Sequence, residues 1–128
     1  MLLPVSRAML LLALALGACQ TLSDVRPGEG ERATIAGHPY DRVWDATLNV
    51  AERHFTIHEQ SKPEGFILAE RTGTGGGWIG IYFTAAGADT YRVEVVRTGK
   101  YPGQISFTNW PRTVLREVQA SLDQVPPR

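Results

Sequence analysis

The segment that decides the fold is YDRVWDATLNVAERH, residues 40–54, together with the alternating stretch that follows it. Its apolar residues recur every three or four positions, which is the period of one face of an α-helix. The residues of this face are Tyr40, Trp44, Leu48, Ala51 and Phe55. Pro39 suits a first helical turn, and Asp41 lies where the helix dipole favours a negative charge. The spacing therefore predicts an amphipathic helix with one buried stripe.

After residue 54 the apolar residues alternate with polar ones, which indicates strands. Residues 55–59 and 91–96 alternate in this way, residues 66–71 are predicted as the return strand of a hairpin, and residues 78–84 as a strand with large residues on both faces. Turn-forming residues separate the four strands. A short first strand is predicted at residues 32–36, and residues 104–107 are a candidate for a last one. A second helix is predicted over residues 111–124, with Thr108 or Asn109 as its cap. Its apolar stripe is Val114, Leu115, Val118 and Leu122.

These elements predict an α+β fold in two layers. An antiparallel sheet of four to five strands is covered on one face by two helices, in the order β-α-β-β-β-β-α. The domain spans residues 31–125, and a single domain suits a chain of 128 residues. Thirteen basic side chains balance thirteen acidic ones, so no basic excess indicates a nucleic-acid partner. The single cysteine excludes an internal disulfide.

The first nineteen residues have the organisation of an export signal. Arg7 gives a basic start, an apolar run covers residues 8–16, and small residues precede Cys19. The run is about half of the roughly 20 residues that a membrane-spanning helix needs. Its end, Leu16-Gly17-Ala18-Cys19, resembles the lipobox of bacterial lipoprotein precursors. The resemblance implies removal of a signal peptide, residues 1–18, and acylation of Cys19, which makes membrane lipid a partner.

Residues 19–30 are polar and contain proline and glycine, which predicts a flexible tether between the acylated cysteine and the domain. Gln20 follows the cysteine, instead of the aspartate that retains such lipoproteins at the inner membrane of enteric bacteria. The resemblance thus implies the inner leaflet of the outer membrane, facing the periplasm, with the inner membrane as the alternative. Acylation also consumes the only thiol, which excludes a cysteine nucleophile and a thiolate metal site.

A second resemblance covers residues 31–124. The run YDRVWDA at residues 40–46, a turn that ends in Gly65 and the strand Phe66-Ile67-Leu68-Ala69 are similar to small envelope lipoproteins. Among these are the helix-grip domains of BamC, a subunit of the outer-membrane β-barrel assembly machinery. The loops, and the presence of one such domain instead of two, depart from BamC. The resemblance implies the α+β fold and an envelope protein complex as candidate partner, and it carries no catalytic residues.

Three sequence patterns could indicate a metal, phosphate or catalytic site, but each has a simpler explanation. His54 and His58 lack the His-Glu-x-x-His order of zinc proteases and lie at a helix–strand junction, where two solvated histidines are expected. The glycines of residues 73–77 precede a strand, whereas a phosphate-binding loop precedes a helix, so they predict a hairpin loop. The chain has no Gly-x-Ser-x-Gly motif, and no spacing of carboxylates points to a catalytic pair. We therefore expect no metal, no cofactor and no enzymatic activity.

The aromatic residues indicate a binding surface. Trp78 and Tyr82 share one face of their predicted strand, and the other face carries Ile79, Ile81 and Phe83. One face must meet the helices, so the opposite one is a candidate contact surface. The candidate partner-binding residues are Trp78, Tyr82, Tyr101 and Trp110. The alternative is that Trp78 only caps the core and Tyr82 lies flat on the sheet.

The leading functional hypothesis is a non-enzymatic, lipid-anchored lipoprotein that serves as a binding or scaffolding module in cell-envelope assembly or maintenance. The alternative is a carrier that holds an apolar ligand in a cleft between the first helix and the sheet. A small hydrolase is the third hypothesis, and it requires a cluster of histidine or carboxylate side chains that titrate abnormally.

Overall fold

Two helices and five strands follow one another in the predicted order. The structure is a computed structural model and describes residues 28, 30–72, 77–99 and 109–124. Its elements are β1 (Glu31–Ala36), α1 (Tyr40–His54), β2 (Thr56–Ser61), β3 (Phe66–Arg71), β4 (Gly77–Gly87), β5 (Thr90–Gly99) and α2 (Trp110–Asp123). The predicted signal peptide, Cys19 and the candidate strand at residues 104–107 lie outside the described residues.

The five strands form one antiparallel sheet in the order β1-β5-β4-β3-β2. Strands β2 to β5 form a meander, and β1 pairs with the outer edge of β5. Helix α1 connects the two edge strands. Arg71 pairs with Gly77, so β3 and β4 are antiparallel neighbours, and residues 73–76 between them lie outside the described part. The predicted α+β fold with a two-helix, antiparallel-sheet architecture is thereby confirmed.

One face of the sheet forms the core with both helices. Its residues alternate along each strand, because successive side chains of a strand point to opposite faces. The sheet residues that are at most 1% exposed are Ile35, Ile67, Ala69, Ile79, Ile81, Val93 and Val95. Phe83 packs against the same cluster from β4. The helix-facing side of β4 is therefore the one with Ile79, Ile81 and Phe83.

The buried face of α1 is wider than the predicted stripe. Val43, Thr47 and Val50 are fully buried, whereas Tyr40 and Leu48 are half-buried. The reason is that α1 contacts both α2 and the sheet, so more than one row of side chains leaves the solvent. Thr47 is accommodated because its hydroxyl donates a hydrogen bond of 2.7 Å to the Val43 carbonyl.

Helix α2 buries the predicted stripe of Val114, Leu115, Val118 and Leu122. The side chain of Asn109 caps it, because Asn109 Oδ1 accepts a hydrogen bond of 3.2 Å from the Arg112 N–H. Pro111 lies in the first turn, where its missing N–H costs no helical hydrogen bond. Within the described residues, neither helix combines the length and the apolar character needed to cross a membrane.

Trp110 is a core residue, which corrects its assignment to the contact surface. It is 9% exposed, and its ring centroid lies 5.2 Å from that of Phe55. The Arg71 guanidinium carbon lies 4.5 Å from the ring centroid, within the range of a cation–π contact. The physical reason is that Trp110 opens α2 on the helix side of the sheet, where its ring fills space beside the end of α1.

Candidate functional site

The first candidate site is the sheet face that turns away from both helices, which we call the open face. Trp78 and Tyr82 lie on it, and both are half-buried. The pairing register adds neighbours from β3 and β5, since Phe66 lies opposite Tyr82, and Gly80 lies opposite both Leu68 and Val96. The open face carries Arg32, Thr34, Glu59, Phe66, Leu68, Glu70, Trp78, Tyr82, Thr84, Arg92, Glu94, Val96 and Thr98. Glu70, Glu94 and Val96 are buried among their neighbours on this face, whereas Thr34, Thr84 and Arg92 are exposed.

The structure brings together two of the four predicted contact residues, Trp78 and Tyr82. Tyr101 lies outside the described residues, as does Cys19. Phe66 and Leu68 belong to the same surface but were not among the predicted contact residues. The signal for them is present in the sequence, because they alternate with the buried Ile67 along β3.

Glu94 links the beginning of the described chain to the open face. Its carboxylate accepts hydrogen bonds from the Gly28 N–H and, at 2.8 Å, from Arg32 Nε, while Arg32 Nη2 donates to the Gly28 carbonyl at 3.0 Å. Glu94 is 7% exposed, and burial alone would raise its pKa. The hydrogen bonds from Gly28, Arg32 and Gly30, with the positive charge of Arg32, outweigh burial and hold the pKa of Glu94 below its usual value.

A histidine–glutamate pair lies beside Trp78 on the same face. His58 Nε2 is 3.0 Å from Glu70 Oε1, and the His58 ring centroid is 4.8 Å from that of Trp78. The register of β2 shifts between Ile57 and Glu59, which is a β-bulge at His58. The alternation in the sequence does not reveal this bulge, so the cluster was not predicted.

The two histidines do not form one site. His54 Nε2 lies 2.7 Å from Glu117 Oε2 on α2, whereas His58 pairs with Glu70. His58 is exposed, as expected of a solvated histidine, and His54 is half-buried, but each also has a carboxylate partner, which the sequence did not predict. Across the described segments, no group of three His, Cys, Asp or Glu side chains is arranged to hold a metal ion.

The second candidate site is an aromatic cleft between the start of α1 and the sheet. It has a volume of about 260 Å³, and it is lined by Tyr40, Pro63, Glu64, Gly65, Phe83, Ala85 and Tyr91. The Tyr40 ring lies at its centre. The Tyr40 ring centroid is 5.8 Å from that of Phe83, in an edge-to-face contact, and 5.3 Å from that of Tyr91. We call this site the aromatic cleft.

Polar contacts fix the walls of the aromatic cleft. The Tyr40 hydroxyl donates a hydrogen bond of 2.6 Å to the Lys62 carbonyl in the β2–β3 turn. Burial raises the pKa of the Tyr40 hydroxyl, with smaller contributions from Tyr91 and Asp41, so the group stays neutral and a donor at neutral pH. The Lys62 ammonium lies 2.9 Å from Asp41 Oδ1, a further link between the turn and α1. The cleft is therefore preformed by contacts within the chain.

The two sites lie on opposite sides of the sheet. Phe83, Ala85 and Tyr91 of the aromatic cleft have the strand parity of the core, whereas Tyr82, Thr84 and Arg92 have that of the open face. No protein-family model matches the sequence, and no curated protein is significantly similar to it.

Proposed function

We propose that the chain is a lipid-anchored lipoprotein that faces the periplasm and acts, without catalysis, as a binding or scaffolding module in cell-envelope assembly or maintenance. Acylated Cys19 attaches it to the inner leaflet of the outer membrane. The sequence supports the anchor through the lipobox-like Leu16-Gly17-Ala18-Cys19. Two or three acyl chains on one residue give firm attachment, because each buried methylene contributes about 0.8 kcal/mol.

The aromatic cleft is the observation that supports a binding module. Its volume of about 260 Å³ is below the roughly 300–1,000 Å³ of pockets that enclose small-molecule ligands. Tyr40, Phe83 and Tyr91 are each half-buried, so they present ring surface to an incoming group. A cleft of this size suits one apolar or aromatic side chain of a protein partner. It favours a binding module over a carrier that would enclose an acyl chain.

The test is site-specific photocrosslinking in intact cells. A photoreactive residue replaces Glu64, which is exposed at the rim of the aromatic cleft, and the matched control replaces the exposed Ala120 on α2. We expect the Glu64 position to capture a discrete envelope protein, and we expect Ala120 not to capture it. The same experiment with Cys19→Ser should lose the product, because the unanchored chain is no longer held beside its partner.

Two outcomes would contradict the proposal. Capture of bulk lipid alone at the Glu64 position, with and without Cys19, would overturn the scaffold and favour the carrier. Uptake of a fluorescent lipid probe by the protein at micromolar concentration would support that alternative independently. A chain whose mass shows no acyl group on Cys19 would overturn the anchor.

A further inference from the structure

The first described residue is held at the open face. The Gly28 N–H and the Gly28 carbonyl are both engaged there, by Glu94 and Arg32 respectively. These two side chains lie opposite each other in the register of β1 and β5, out of phase with the core residues Ala33 and Val93. The point at which the predicted tether meets the domain is therefore on the open face and not on the helix side.

The length of the predicted tether limits how far this point lies from the membrane. Gly28 follows Cys19 by nine residues, and a fully extended chain of that length spans at most roughly 30 Å. A flexible chain of the same length has an average end-to-end distance of about 16 Å. This is close to the radius of gyration of about 12 Å expected for a domain of this size. Tethering at this distance corresponds to a millimolar effective concentration, so even weak contacts with lipid are populated.

The side chains of the open face suit a lipid surface. Trp78 and Tyr82 are half-buried on it, and tryptophan and tyrosine favour the boundary between acyl chains and headgroups. Arg92 is exposed between Thr34 and Thr84 in the pairing register, so a guanidinium and two hydroxyls share one row. Such donors match the phosphate oxygens of headgroups.

Most of the other charged groups on this surface have a partner within the chain. Arg32 is paired with Glu94, and Glu70 is hydrogen-bonded to His58. The exposed Glu59 lies on β2, at the far edge of the sheet from β1. Arg92 therefore carries the charge that a headgroup phosphate would meet near Gly28.

We propose that the open face rests on the bilayer to which Cys19 anchors the chain, with Trp78 at the headgroup–acyl boundary and Arg92 against headgroup phosphate. The inference rests on the acylation of Cys19 in the proposed function and adds an orientation to it. Because the aromatic cleft lies on the opposite side of the sheet, this orientation presents the cleft to the periplasm. It also assigns the predicted contact residue Trp78 to lipid and not to a protein.

Trp78 provides the measurement that tests this orientation. The chain has three tryptophans, and Trp44 and Trp110 are 4% and 9% exposed in the core. The acylated protein is reconstituted in vesicles of phosphatidylethanolamine and phosphatidylglycerol, with and without acyl chains brominated near the headgroup. We expect bromination to remove up to about a third of the tryptophan emission of the wild type, since one emitter in three lies within reach. The Trp78→Phe variant should lose almost none.

The controls separate this inference from the proposed function. The mass of the purified protein reports acylation, and its flotation with the vesicles reports anchoring. Acylated protein that floats but shows equal quenching in wild type and Trp78→Phe overturns the orientation and leaves the anchor intact. Absence of the acyl group overturns both.

A second pair of variants tests the headgroup contact. Arg92→Gln should reduce the quenching of Trp78 severalfold, because it removes the cation that faces the phosphates. The matched control is Arg116→Gln, which removes an exposed arginine from α2 on the other layer. Equal quenching in these two variants would overturn the role of Arg92.

Discussion

At the scale of single residues, Glu94 is the side chain that joins the start of the described chain to the sheet. We predict that Glu94→Gln lowers the free energy of unfolding by about 1.5–3 kcal/mol at neutral pH, the range for hydrogen bonds to a charged group. Arg32 is 51% exposed, so solvent screens its share and the lower end is expected. Urea denaturation of the wild type and the variant measures this difference.

The difference should also depend on pH. The pKa of Glu94 is lower in the folded than in the unfolded chain, so its stabilisation is complete above the unfolded value of about 4.3. The stabilisation is lost as the pH falls through the folded value. The unfolding free energies of wild type and Glu94→Gln should therefore converge in acid. Curves that stay parallel across this range would show that the carboxylate does not make these contacts.

Replacing Trp110 should lower the free energy of unfolding more than replacing Trp78. Trp110→Ala should lower the free energy of unfolding by about 3–5 kcal/mol, because it leaves a cavity beside Phe55 and removes the ring that contacts Arg71. Trp78→Ala should cost about 1–2 kcal/mol, because its ring is half-buried on the open face. Chemical denaturation of both variants gives the order, and the reverse order would contradict the assignment of Trp110 to the core.

At the scale of elements, the β2–β3 turn depends on Gly65. Its φ is 78°, and a Cβ there would lie 3.0 Å from the Phe83 carbonyl oxygen. The Phe83 N–H also donates a hydrogen bond of 2.9 Å to the Gly65 carbonyl, so the backbones of the turn and β4 must approach closely. We predict that Gly65→Ala costs about 1–3 kcal/mol from the backbone conformation, and more if Phe83 must move.

Gly28→Ala is the control for this prediction. Its φ is 97°, but a Cβ at Gly28 would meet nothing within 4 Å. It thus carries the conformational cost without the close contact, and it should destabilise the chain less than Gly65→Ala. Equal effects in thermal unfolding would mean that the contact with Phe83 contributes nothing. Loss of the envelope protein captured by photocrosslinking at Glu64 in Gly65→Ala would locate the effect at the aromatic cleft.

The helices and strands could be predicted because their sequence patterns lie within single segments, whereas the candidate sites depend on contacts between distant segments. The bounds of α1 are encoded by the break at Pro39, the apolar period and the change of period after His54, all within one segment. The pairing of His58 with Glu70 depends instead on a bulge that only the neighbouring strand reveals. The aromatic cleft brings together residues as distant as Tyr40 and Tyr91, which periodicity does not connect.

For the whole molecule, the structure shows how these surfaces are oriented relative to one another on the fold. Alternation along β4 and β5 predicted two faces, but it did not say which residues of other strands complete them. That information comes from register, which places Phe66 beside Tyr82 and Arg32 beside Glu94. The position of Trp110 likewise depends on how α2 returns to the core, so its sequence neighbourhood did not distinguish core from surface.

The short tether makes contact between the open face and lipid an intramolecular event. An insertion of about 27 glycine and serine residues between Pro27 and Gly28 makes the tether roughly four times longer. The effective concentration of the open face at the bilayer should then fall about twofold, since the average tether length grows as the square root of the number of residues and only the distance perpendicular to the bilayer is constrained. Brominated-lipid quenching of Trp78 should fall with it, while flotation with vesicles stays complete because Cys19 is unchanged. The same insertion in Trp78→Phe gives the background from Trp44 and Trp110. Quenching that is unaffected by the insertion would show that contact with lipid does not depend on the short tether, and the orientation would need another cause.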